Sequence, residues 1–174
     1  MQTVDEAELL ARTKQADHIA YAELVNRYKN AVYHHCFAIV RDEDAAEDIT
    51  QDTFITAYYK IHTYNPTYKL ATWLFKIATN KALNHIKYNA RQVAGEDDLI
   101  DAVASDRPTP HKLSEQNELH EIVERLKPQH RAVVSLYYWQ GMSYQEVADT
   151  MGAPLGSVKV WMARAKAQLR KELS

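Results

Sequence analysis

An internal disulfide is excluded, because Cys36 is the only cysteine in the sequence. Lying among apolar residues at helical spacing, Cys36 reads as a small buried core residue. Glycine is scarce, with 4 in 174 residues, while 46 % of the chain is apolar and long stretches lack proline. Strand-and-turn architectures need more of both, so the composition points to an all-α fold. No apolar run reaches the roughly 18 residues that a membrane-crossing helix needs. The opening segment Met1-Gln-Thr-Val-Asp-Glu-Ala-Glu8 is acidic and has no apolar centre, which excludes a secretory signal. These absences place the chain in the cytoplasm.

Acid is missing from one stretch. The formal net charge of −2 hides an uneven distribution. Residues 1–60 hold 6 Lys/Arg against 11 Asp/Glu, but residues 61–91 hold 5 basic side chains and no acid. Residues 92–124 then carry 2 basic and 9 acidic side chains, and residues 151–174 carry 5 basic and 1 acidic. Two basic blocks alternating with acidic ones predict two separate footprints on a polyanion.

Periodicity supplies the frame. A short amphipathic helix is expected over 5–15 and a longer one over 17–40, with Tyr21, Leu24, Val25, Tyr28, Val32, Cys36 and Ile39 facing inward. Asp42 is placed to cap a third helix reaching Ile61. Tyr64-Asn-Pro-Thr-Tyr-Lys-Leu70 is a loop, and a fourth helix follows to about Asn89. Residues 92–112 combine an acidic run with two prolines and read as a flexible acidic linker. The expected organisation is two small helical domains, 1–91 and 113–174, on either side of it. The second should hold helices near 113–126, 129–140, 144–151 and 157–172.

The C-terminal segment Gly141–Ser174 carries the clearest signal. Ser143 and Glu146 form a capping box, Gly152 can end that helix in the left-handed conformation, and Ser157 is expected to cap the next. Val158, Met162, Ala165 and Leu169 face inward, leaving Lys159, Arg164, Lys166, Arg170 and Lys171 on other faces. This is the pattern of a helix-turn-helix whose second helix enters the major groove.

Within the acid-free block, cations alternate with aromatic residues: Tyr64, Tyr68, Lys69, Trp73, Phe75, Lys76, Lys81 and Tyr88. Aromatic faces beside cations suit unstacked bases, each stack being worth about 1–3 kcal/mol. Tyr64 and Tyr68, in the loop, are the expected stackers. Upstream, Asp42, Glu43 and Asp44 complement a helix dipole. Glu47, Asp48, Gln51 and Asp52 continue a polar face beyond that need, which suits docking onto a basic partner. The eight histidines show no Glu-x-x-His pairing, and neither HExxH nor a Gly-rich phosphate loop occurs. No metal, cofactor or enzyme activity is expected.

The order Asp44-Ala-Ala-Glu-Asp-Ile-Thr-Gln-Asp-Thr-Phe-Ile-Thr-Ala-Tyr58, then Trp73-Leu-Phe-Lys-Ile-Ala-Thr-Asn80, then Gly-Ser-Val-Lys159, resembles an extracytoplasmic-function (group IV) bacterial RNA polymerase sigma factor. The resemblance spans roughly 17–91 and 113–172. It implies a subunit that binds core RNA polymerase and directs it to promoter DNA. By it, Glu47, Asp48, Gln51, Asp52 and Phe54 bind core polymerase. Tyr64, Tyr68, Lys69, Trp73, Asn80, Lys81 and Asn84 open and read the single-stranded −10 element. Ser157, Lys159, Val160, Arg164 and Lys166 read the −35 duplex. An anti-sigma factor is the implied regulator, one that could hold the chain at the membrane without inserting it. The chain departs from the family where Val160 and Trp161 replace the usual serine and arginine, and in the weak basic run Lys87–Arg91. A stand-alone helix-turn-helix regulator, working without polymerase, is the rival reading.

Overall fold

A computed structural model describes residues 4–94 and 121–174. The described residues are helical, with no strand among them. Helix α1 spans Glu6–Lys14, α2 His18–Val40, α3 Glu43–Lys60 and α4 Leu70–Ala94. After helical residues 121–124, α5 runs Pro128–Val134 and continues as a π-helical turn over Ser135–Trp139. Helices α6 (Tyr144–Met151) and α7 (Leu155–Leu173) complete the chain.

Local chemistry explains most boundaries. The Asp17 carboxylate accepts from the amides of Ile19 and Ala20, at 3.0 and 3.1 Å, and starts α2. Those bonds, with Arg12 beside them, hold its carboxyl below the usual carboxylate range. Asp42 caps α3 through the Ala45 amide at 2.7 Å. In α6 both halves of the capping box are made: Ser143 Oγ accepts from the Glu146 amide, and Glu146 accepts from the Ser143 amide. Gly152 closes α6 at φ 60, a conformation that costs glycine nothing.

Three boundaries differ from expectation. Helix α4 runs five residues past Asn89, to Ala94. The helix after Pro128 does not stay α-helical but widens to π over Ser135–Trp139. Ser157 does not cap α7: the helix starts at Leu155 behind Pro154, whose fixed φ of −59° sets its first turn, and Ser157 lies inside that turn. Most of the expected 92–112 linker, and the start of the 113–126 helix, lie outside the described residues.

Helices α2, α3 and α4 pack mutually around Val32, Cys36, Ile39, Phe54, Leu74 and Phe75, with α1 closing one end over Leu9 and Leu24. Helices α5, α6 and α7 pack around Val133, Val147, Val158 and Met162. These two groups are the two expected domains, and they pack on each other. Helix α6 lies along α4 and α5 along α2, so one continuous apolar core runs through both.

Buried polar bonds fix that junction. His35, fully buried, places Nδ1 2.9 Å from Ser135 Oγ and Nε2 2.8 Å from Thr79 Oγ1. Thr79 Oγ1 already donates to the Phe75 carbonyl at 2.7 Å, so it accepts from Nε2–H. Nδ1 therefore accepts from the Ser135 hydroxyl, and the ring is neutral with both nitrogens satisfied. Arg131, also buried, donates to the Ile39 carbonyl at 2.5 and 3.1 Å and to the carbonyls of Glu124 and Leu126 at 3.1 and 2.6 Å. At the rim, Arg41 pairs with Glu124.

The junction has a pH signature. Burial pushes the His35 imidazole down from 6.5 to about 3. Above pH 6.5 the ring is neutral whether the chain is folded or unfolded, and its contribution to stability is complete. As pH falls below 6.5 the unfolded chain takes up a proton that the folded chain refuses. Stability should therefore fall, at a slope approaching 1.4 kcal/mol per pH unit, until about pH 3. Urea midpoints measured between pH 7 and 5 should show this slope, and His35→Gln should flatten it. Equal slopes in the two proteins would contradict the assignment.

Candidate nucleic-acid interface

Three exposed surfaces can be followed from the elements that carry them. The first is the outward face of α3. Glu47, Asp48, Gln51 and Asp52 all project to solvent, as the sequence suggested. Phe54 does not: it is 8 % exposed and belongs to the core, because position 54 shares the inward stripe with Thr53 and Ala57. In its place the face continues through Ile55, 56 % exposed, and Tyr59, 78 % exposed. Sequence reasoning missed both. The signal was present, since they follow Asp48 and Asp52 at helical spacing.

The second surface belongs to the Tyr64–Leu70 loop and α4. The two loop tyrosines separate. Tyr68 is 47 % exposed, its ring free to meet another π-face. Tyr64 is buried with Leu9, Leu24 and Leu70, meets the Trp73 ring at 5.6 Å in a tilted arrangement, and donates its hydroxyl to the Tyr68 carbonyl at 2.6 Å. It therefore supports the loop rather than presenting a face to a base. Trp73 is half-buried beside it, while Asn80 and Asn84 are exposed along α4.

The cations here are not free. Lys81 Nζ meets Asp52 at 2.8 Å, joining the α3 and α4 surfaces. Lys69 Nζ meets Glu146 of α6 at 2.7 Å. Lys69 and the bond from the Ser143 amide hold the Glu146 carboxyl below its ordinary range. A block without acids in sequence has acquired two acidic partners in space.

The third surface is the outer side of α7. Val158, Met162 and Ala165 are buried, which turns Lys159, Val160, Ala163 and Arg164 outward. Ser157 is half-exposed in the first turn. Lys166 is half-exposed and lies against the Tyr144 hydroxyl at 3.4 Å, a contact that raises its pKa. Val160 is 47 % exposed, and Trp161 lies half-buried against the core. Cationic side chains around exposed small residues suit a duplex groove, the cations reaching phosphates and the small residues meeting base edges.

The described residues bring together no three His, Cys, Asp or Glu side chains arranged to hold a metal ion. Nor do they include a helix long and apolar enough to cross a membrane.

Residues 24–92 match the family Sigma-70 region 2, and residues 116–169 match Sigma-70, region 4. The chain is 30 % identical over 176 residues to the ECF RNA polymerase sigma factor SigW of Bacillus subtilis, covering 94 % of each chain. It is 33 % identical to the RNA polymerase sigma factor NccH of Alcaligenes xylosoxydans xylosoxydans, covering 96 % of this chain and 93 % of that one. Among solved structures, CnrH in complex with the cytosolic domain of CnrY superposes with a TM-score of 0.69 at 24 % identity, over 97 % of this chain and 96 % of that one. The sigma factor RpoE of Bartonella quintana, in complex with the anti-sigma factor NepR, gives 0.71 at 22 % identity, over 88 % and 96 %. At these identities the two structures speak for the fold.

Proposed function

This chain belongs to the extracytoplasmic-function sigma factors, and we propose that its three exposed surfaces divide the work of promoter recognition. It directs transcription initiation as a subunit that binds core RNA polymerase and promoter DNA. The observation that carries the division is one chain matching both sigma regions while exposing an acidic α3 face, an aromatic loop and a cationic α7 face.

The α3 face, Glu47, Asp48, Gln51 and Asp52 with Ile55 and Tyr59, is the polymerase-docking surface in this reading. Carboxylates give it charge complementarity to a basic partner, and the two apolar side chains give it desolvated anchors. Tyr68, Trp73, Asn80 and Asn84, with Lys69 and Lys81 once released from their carboxylates, receive the −10 strand. Extruding a base costs a few kcal/mol, which stacking on Tyr68 and polar contacts along α4 can offset. Helix α7 reads the −35 duplex. An anti-sigma protein is the regulator this reading assigns, by similarity to the sigma factor RpoE of Bartonella quintana, solved in complex with the anti-sigma factor NepR. The cytoplasm, where polymerase acts, is the assigned compartment.

Alanine at Asp48, Gln51 or Ile55 should each weaken binding to core polymerase by roughly 5- to 10-fold, about 1–1.4 kcal/mol, and leave −35 duplex binding unchanged. Competition binding against labelled wild-type chain measures this. Unaltered core affinity in all three variants would remove α3 from the docking surface.

A further inference from the structure

We propose that α1 is a clamp that positions the Tyr64–Leu70 loop for the single strand, and that Tyr64 is the residue through which it acts. The proposal rests on the sigma reading and adds a positioning element to the surface that receives the −10 strand. Helix α1, Glu6–Lys14, lies upstream of the residues 24–92 that match Sigma-70 region 2.

A helix of 9 residues does not hold its shape alone in water, so its place depends on what ties it down. Three polar ties and one apolar contact do so. At its start Arg27 donates to the Val4 carbonyl at 2.6 Å, and Tyr28 donates its hydroxyl to Glu6 at 2.5 Å. Towards its end Arg12 meets the Asp17 carboxylate at 2.9 Å, the same carboxylate that caps α2. Between them Leu9, 2 % exposed, enters a small apolar cluster with Leu24, Leu70 and Tyr64. No residue of α1 belongs to the main core of α2, α3 and α4. Its apolar contact is instead with the two ends of the loop, Tyr64 and Leu70, and with α2.

Tyr64 carries that hold to the exposed ring of the loop. Its hydroxyl donates to the Tyr68 carbonyl at 2.6 Å and closes the loop from inside. Two local bonds brace the turn: Tyr68 N–H to the Asn65 carbonyl at 3.1 Å, and Thr67 N–H to Asn65 Oδ1 at 3.0 Å. Together they set the backbone from which the exposed Tyr68 ring projects. The ammonium of Lys14, the last residue of α1, lies 6.0 Å from the centre of the Tyr64 ring, at the range of a cation–π contact. Burial raises the Tyr64 hydroxyl above its usual pKa, and Glu6 of α1 adds to the shift, so the group stays a donor at neutral pH. A ring held in place before the base arrives binds better than one that must first be ordered, because affinity scales with the fraction of loops in the competent form. Losing one hydrogen bond of ordinary strength cuts that fraction about fivefold.

The test uses holoenzyme assembled from core polymerase and the full chain. Its probe is a single-stranded oligonucleotide carrying the −10 element of a promoter selected by run-off transcription. Tyr64→Phe keeps the ring in its cluster and removes only the hydroxyl, so strand affinity should fall about fivefold, with core affinity and −35 duplex affinity unchanged. In a Tyr68→Ala background the same substitution should cost nothing more, since it acts only through that ring. A merely structural role would lower affinity by the same factor in both backgrounds. Leu9→Ala loosens α1 from Tyr64 and should lower strand affinity by at least as much, at unchanged helix content. If that variant unfolds, Glu6→Ala combined with Arg27→Ala unties α1 without opening a cavity and is read in the same way. Undiminished affinity in Tyr64→Phe, an equal loss in both backgrounds, or a folded α1 variant with full strand affinity would each overturn the proposal. Failure of the sigma reading would appear separately, as wild-type holoenzyme that neither starts transcripts nor holds the oligonucleotide.

Discussion

Arg131→Ala is expected to lower the unfolding free energy by about 3–5 kcal/mol, a large fraction of what a domain of this size holds. The guanidinium is 8 % exposed and has no carboxylate partner of its own among its bonds. It is held by three main-chain carbonyls: Ile39, at the end of α2, and Glu124 and Leu126, leading into α5. Burial, with Arg41 nearby, pulls its pKa down to about 10, so it stays charged at neutral pH. Alanine would leave all three carbonyls without a donor and open a cavity between α2 and α5. Lysine would not restore the site, since an ammonium cannot address carbonyls on two sides as the planar fork does. Urea denaturation followed by circular dichroism measures the change. A loss below about 1 kcal/mol would mean that water replaces the guanidinium without cost, and that the junction is wet.

The second large effect is expected at α7. Lys159→Ala and Arg164→Ala should each reduce −35 duplex affinity about tenfold. If a side chain contacts only phosphate, the slope of log affinity against log salt should drop by about 0.9 for its loss. If it reads a base edge, the slope should stay and the sequence preference should relax. Val160 belongs with this pair. Exposed and unable to donate a hydrogen bond, it can discriminate only through apolar contact, and thymine methyls are the apolar groups on the major-groove floor. Val160→Ser should weaken selection of thymine in enriched binding sites while sparing non-specific affinity. Binding titrations across salt, with sequencing of selected duplexes, check all three. Unchanged affinity in both cation variants would take α7 out of the groove.

What could be read from the sequence follows physical range. The caps at Asp17, Asp42 and Ser143 act within four residues, and the helices they start follow from local pattern. So do the open faces: inward stripes in α3 and α7 leave Asp48, Gln51, Lys159 and Arg164 outside whatever else the chain does. Docking of the two parts depends on pairs such as His35 with Ser135 and Lys69 with Glu146, about 80 to 100 residues apart, which no periodicity links. One trace was visible, a histidine beside Cys36 within the apolar stripe of α2. The tyrosines of the 64–70 loop are alike in sequence. Only the packing of Leu9, Leu24 and Leu70 around Tyr64 decides that it is covered and Tyr68 is not. Phe54 illustrates the reverse case: its inward register was visible, and the polymerase role given to it conflicts with that register.

The most direct measurement of the central claim is run-off transcription by core RNA polymerase on a pool of promoter fragments, with and without this chain. The account predicts defined start sites that depend on the chain, each downstream of one spaced pair of sequence elements. Core polymerase alone should produce none of them. A chain that binds duplex DNA but leaves the transcripts of core polymerase unchanged would contradict the account and favour a regulator that works without polymerase.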